Sequence, residues 1–149
     1  MIGAHKSEKS ELGAQAWELL WDLVKVSKPY IESIAAEFDL TPQQMFALKT
    51  LSNDQPLAMS DLATTLSCDA SNVTAIVDKL ESHGYVERRS ADYDRRVKAL
   101  IMTPAGTRLQ QKVRQRMLKP PPAIDRLSLA DQRALRDILR RAIASIEIA

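Results

Sequence analysis

The sequence predicts a mainly α-helical chain carrying one small β-hairpin, and three observations predict it. The first is the stretch Asp69 to Ser82, where Val73, Ile76, Val77 and Leu80 recur at i, i+3, i+4 and i+7. At about 100° per residue these four share one helix face. The opposite face carries Ser71, Thr74, Ala75, Asp78 and Ser82, flanked by Asn72 and Lys79, groups small enough to approach a groove closely. The second observation is the pair of strand-like runs Tyr85–Arg89 and Arg96–Ile101, joined by the polar turn Ser90–Arg95. Gly84 separates helix from strand, since the residue past a helix end often adopts a left-handed conformation. The third is a surplus of helix at both ends of the chain, with apolar stripes that need a partner. A groove-sized helix followed by a basic hairpin is the outline of a winged helix-turn-helix, here with N- and C-terminal dimerisation helices.

In chain order, Met1 to Ser10 reads as a loose tail, and residues 11–38 as a long helix. Leu12, Leu19, Leu23, Val26, Tyr30 and Ile34 fall on one face; Trp17, Trp21, Val24 and Ile31 fall on another. A helix apolar on two sides is buried on two sides, one against its own core and one against a partner subunit. Pro29 predicts a kink between Lys25 and Pro29, or two helices split at Lys28. Thr41-Pro42 starts a second helix, with Met45, Leu48 and Leu51 inward. Leu57-Ala58-Met59 is a short strand that adds to the hairpin. Ser60 caps a third helix, Asp61–Leu66, and Ser67-Cys68-Asp69 is the tight turn before the recognition helix. Thr103-Pro104 repeats the cap-plus-proline start, and the prolines from Pro120 to Pro122 end that helix. Ser128 to Asp131 opens the last helix, striped by Leu135, Ile138, Leu139, Ala142, Ile143 and Ile146. One chain of 149 residues thus divides into dimerisation helices over 11–38 and 103–147 and a DNA-binding part over 41–102.

Composition bounds the class. With 45% hydrophobic and 27% charged residues the chain is an ordinary globular protein. No apolar run approaches the ~18 residues of a membrane span. The polar N-terminus and the single Cys68 fit the cytoplasm. A net charge of +2 says little, but the hairpin concentrates Arg88, Arg89, Arg95, Arg96 and Lys98 against Glu87, Asp92 and Asp94. His5 and His83 are far apart and no cluster shows ligand spacing, so neither metal nor cofactor is expected. There is no phosphate loop and no nucleophile–base pair, so the chain does not read as an enzyme.

The hairpin also carries a family pattern. Asp94-Arg95-Arg96, five residues, then Met102-Thr103 and Gly106 resemble the wing signature D-x-R-x5-L-T of the MarR family of bacterial transcription factors, with Met for Leu. Val73-Thr74, Val77-Asp78-Lys79-Leu80-Glu81 and Gly84 are similar to that family's recognition helix. The resemblance covers nearly the whole chain. It implies a homodimer, a repressor of transcription, and an inverted-repeat operator with half-sites about one DNA turn, ~34 Å, apart. Ala75 stands where many members carry Arg, so no base preference is carried over from a relative.

On this reading Ser71, Asn72 and Thr74 hydrogen-bond base edges or phosphates, Ala75 packs on a thymine methyl, and Lys79 meets a phosphate. The resemblance implies that Arg96 enters the minor groove, with Asp94 orienting its guanidinium and Asp78 as a second partner. Arg95 is the alternative wing tip. Arg88, Arg89 and Lys98 are generic phosphate contacts. Relatives also imply a small aromatic, anionic effector; Trp17, Trp21, Tyr30, Met45 and Phe46 are the candidates to line its cleft, against an ordinary role in the core. The competing reading is a winged-helix module that binds another protein and not DNA.

Overall fold

The computed structural model describes residues 2–52, 55–90 and 98–146, with side chains from Glu8 onward. Its elements are α1 (Ile2–Ala36), α2 (Pro42–Thr50), β1 (Leu57–Ala58), α3 (Met59–Leu66), α4 (Ala70–Ser82), β2 (Val86–Ser90), β3 (Lys98–Met102), α5 (Pro104–Met117), α6 (Pro122–Asp125) and α7 (Leu129–Ala144). The chain forms two compact units: residues 29–119, and residues 1–28 with 120–149.

The unit 29–119 holds the hydrophobic core. Ile34, Met45, Leu48, Leu62, Val73, Val77, Leu80, Val86, Leu100 and Val113 are fully buried there. They come from the end of α1, from α2 to α5 and from the hairpin, and the helical and two-residue periods of the sequence place them inward. The sheet is antiparallel in the order β1-β3-β2, with Leu57 opposite Leu100 and Val86 opposite Met102. The three-residue strand expected at Leu57–Met59 is real but ends at Ala58. Met59 begins α3, so Ser60 lies inside the first turn and does not cap it; Ala58 occupies the cap without a side-chain bond. Gly84 has φ +72, the left-handed turn that ends α4.

Two expectations about the helices are corrected. The N-terminal tail is helical from Ile2, and no proline interrupts the helix before Pro29. Pro29 sits inside one helix and does not divide it at Lys28. The core also draws on residues outside 41–102. The end of α1 supplies Ile34 and Ala35 to its core, and α5 supplies Val113.

Two polar devices tie α1 and α5 into this unit, and neither was legible in the sequence. Arg116 forks onto Glu37, with Nε and Nη2 2.8–3.0 Å from the carboxylate oxygens, and Nη1 donates to the Tyr30 hydroxyl at 2.9 Å. That hydroxyl donates onward to the Lys119 carbonyl at 2.9 Å. The Arg116 guanidinium holds the Glu37 carboxyl below the usual carboxylate range. The second device is Gln110, only 3% exposed, whose Nε2 donates to the Leu48 carbonyl at 2.8 Å and the Leu51 carbonyl at 2.7 Å. It satisfies the end of α2, where helix carbonyls lack partners. Gln110→Leu is expected to lower stability by about 2 kcal/mol, because buried acceptors lose their donor. Urea denaturation checks it, and an unchanged midpoint would show that these carbonyls do not need the side chain.

The unit formed by residues 1–28 and 120–149 is different in kind. No residue of α7 is buried. Trp17, Leu19, Trp21, Val24 and Val26 on α1, and Ile138, Ile143 and Ile146 towards the C-terminus, are each more than half exposed. The sequence predicts that one side of the first helix meets its own core. Up to Val26, residues of both stripes are uncovered in a single chain. Among the described residues no helix is long and apolar enough to cross a membrane.

Candidate nucleic-acid interface

Helix α4 buries Val73, Ile76, Val77 and Leu80 and leaves Ser71, Asn72, Thr74, Ala75, Asp78, Lys79 and Ser82 exposed, as the sequence predicts. Its start is fixed by Asp69. The carboxylate accepts from the Asn72 backbone N–H at 2.8 Å, the Ser71 hydroxyl at 2.7 Å and the Asn72 side-chain amide at 3.1 Å. These bonds, the Asn72 backbone one foremost and the Ser71 hydroxyl next, hold the Asp69 carboxyl below its ordinary range. The same contacts orient Ser71 and Asn72, two of the residues expected to meet DNA. Thr74 donates its hydroxyl to the Ala70 carbonyl at 2.8 Å, which leaves its oxygen free to accept only. Lys79 lies on the flank of α4, lining a shallow pocket with Asp39, Thr41 and Gln44.

The hairpin follows strand alternation. Glu87 and Arg89 face outward, paired with each other at 2.9 Å, and Arg89 remains largely exposed. Lys98, opposite Ser90, is exposed and donates to its hydroxyl at 3.3 Å. Asp94, Arg95 and Arg96 lie outside the described residues.

Arg88 is the departure from expectation. Alternation turns it toward α4, and its side chain is only 24% exposed. Nη2 lies 2.6 Å from Asp78 Oδ1 and 3.3 Å from the Thr74 carbonyl; Nη1 lies 2.8 Å from Glu81 Oε2. The Arg88 backbone N–H donates to Glu81 Oε1 at 3.0 Å. Its guanidinium, expected to meet a phosphate, is thus engaged by the recognition helix. Asp78 pairs with Arg88, and its expected contact with Arg96 lies outside the described residues. Glu81 was missed, although its place one turn beyond Asp78 was a signal.

The five residues expected around an effector are distributed between the two units. Trp17 and Trp21 stack edge-to-face, centroids 5.7 Å apart, and line an apolar groove with Leu20 and Val24 in the smaller unit. Met45 is fully buried in the core of the larger unit, so it cannot line an open cleft. Tyr30 is held by Arg116 and Lys119, while Phe46 is partly exposed.

Comparison with known proteins agrees with this geometry. The MarR family model matches residues 40–98. A putative transcriptional regulatory protein for the hcr operon of Thauera aromatica is 28% identical over 138 residues, covering 92% of this chain and 81% of that protein. The transcriptional repressor MprA of Escherichia coli is 36% identical over 69 residues, covering 45% of this chain and 39% of that one. In fold, the chain resembles wild-type MarR from E. coli with a TM-score of 0.78 at 19% identity, over 84% of this chain and 93% of that one. The exposed polar face of α4, its adjoining hairpin and these likenesses converge: residues 40–98 match the MarR family, and the chain is similar over most of its length to a regulator of transcription and to the winged helix-turn-helix fold.

Proposed function

We propose that this chain is a homodimeric repressor of the cytoplasm that binds an inverted-repeat operator and is released by a small aromatic anion. Each protomer lays α4 in a major groove. Ser71, Asn72 and Thr74 meet base edges or phosphates there, and Ala75 meets a thymine methyl. Lys79, Arg89 and Lys98 neutralise phosphates. Arg96, oriented by Asp94 and with Arg95 beside it, enters the minor groove, as the family resemblance implies. The observation that carries this reading is the two-sided character of α4: four apolar residues inward, and small hydrogen-bonding groups outward beside a basic hairpin. The second copy is supported by the uncovered apolar surface of α1 and α7, which water would otherwise face. The effector is supported by the exposed Trp17–Trp21 pair, whose rings suit an aromatic ligand.

Gel retardation with the intergenic DNA beside the gene tests the reading. Binding should weaken linearly in log salt, because phosphate contacts release counterions. No retardation at low salt would end the DNA assignment. Arg96→Ala should lower operator affinity about tenfold or more while the melting temperature holds. Unchanged affinity would move the wing contact to another residue.

A further inference from the structure

The face of α4 that the proposed function turns toward DNA carries two acids, Asp78 and Glu81, and an acid facing phosphates is repelled. Arg88 answers both. Its anchors Thr74, Asp78 and Glu81 stand at i, i+4 and i+7, one line along two turns of the helix. Glu81 receives one donor from the Arg88 guanidinium and one from its backbone, so side chain and strand are fixed to the same carboxylate. A single exposed ion pair holds little, but a guanidinium shared by two carboxylates and a carbonyl restricts direction as well as distance. The neighbouring Arg89, 64% exposed, pairs with Glu87 and, among the described residues, has no such hold on the helix.

We propose that Arg88 is a positioning residue for operator recognition: it sets the angle of α4 against the β2–β3 hairpin and offsets part of the charge of Asp78 and Glu81, without touching DNA. This rests on the reading that α4 enters the groove. If α4 and the wing occupy two grooves at once, a small rotation between them moves base contacts on one side out of reach. Sequence-specific affinity then depends on Arg88, whereas affinity for arbitrary DNA does not.

The opposing account makes Arg88 a phosphate contact, and the two differ in sign. The probes are a duplex enriched by in vitro selection with the wild-type protein, and the unselected random duplex pool. Asp78→Asn removes an acid from the DNA-facing side. Electrostatics alone would tighten binding to both probes. The clamp requires about fivefold weaker binding to the selected duplex, with the random pool bound no more weakly than by wild type. Arg88→Lys keeps the charge but cannot fork across two carboxylates. A phosphate contact would stay within about twofold of wild type, while the clamp loses about tenfold on the selected duplex with the salt slope changed by less than ~0.5. Asp78→Asn, at a half-exposed side chain, decides the matter even where Arg88→Lys impairs folding. Tighter or unchanged binding of Asp78→Asn to the selected duplex overturns the clamp. A wild-type protein that enriches no duplex overturns the DNA reading beneath it as well.

Discussion

Gly106→Ala is expected to destabilise the winged unit by about 3 kcal/mol, with a fall in melting temperature of about 10 °C at fixed protein concentration. A Cβ built at Gly106 lies 2.0 Å from the Tyr85 carbonyl oxygen and 2.9 Å from its carbon. The Met102 sulfur, 2.8 Å away, is the flexible end of a side chain and can move; the Tyr85 backbone cannot do so freely. Its carbonyl accepts from Thr103 N at 3.1 Å, and the Thr103 hydroxyl donates to the Gly84 carbonyl at 2.6 Å while accepting from Gly106 N at 3.0 Å. The start of α5 is thus bonded to the turn that leads out of the recognition helix. A methyl group there must separate the two, and the bonds around Thr103 go with it. A melting temperature within about 2 °C of wild type would mean that the turn yields without loss.

That contact shows what the sequence discloses and what it withholds. Gly106 stood in the family pattern beyond Thr103, but only the fold brings it against Tyr85. The faces of α4 were legible because a period of 3.6 separates Val73, Ile76, Val77 and Leu80 from Ser71, Thr74 and Ala75 without reference to any other element. The same holds for Thr41-Pro42 and Thr103-Pro104, whose caps and prolines act within one turn. Arg88 was half legible. Strand alternation puts it on the side of Val86, but its partners on α4 depend on the angle at which helix and hairpin meet. Gln110 was not legible at all: a glutamine among polar neighbours gives no sign that it serves carbonyls at Leu48 and Leu51, some sixty positions earlier in the chain. The extent of α1 was misjudged because its first residues carry neither stripe nor cap, and helix without either leaves no pattern to read.

Ile143→Glu is expected to abolish the proposed homodimer while leaving the unit 29–119 folded. Ile143 is 59% exposed in a single chain and belongs to a helix with no fully buried residue. A 16-residue helix with an apolar stripe and no fully buried residue is marginal in water, so its stability calls for a surface to cover it. In a two-fold pair each substitution acts twice, and each buried isoleucine contributes roughly 1.5–3 kcal/mol. Replacing both with carboxylates adds the cost of uncompensated buried charge. Together these raise the dimer dissociation constant by about a thousandfold or more. Sedimentation equilibrium should then find monomer at concentrations where the wild type is dimeric, and operator binding should fall with it, because one α4 reads only a half-site. The core around Leu48, Val77 and Leu100 contains no residue of α7, so the circular dichroism of the winged unit should persist. An Ile143→Glu protein that stays dimeric would place the interface away from the last helix. The apolar face of α1, from Leu12 to Val26, would then have to hold the two copies together without it.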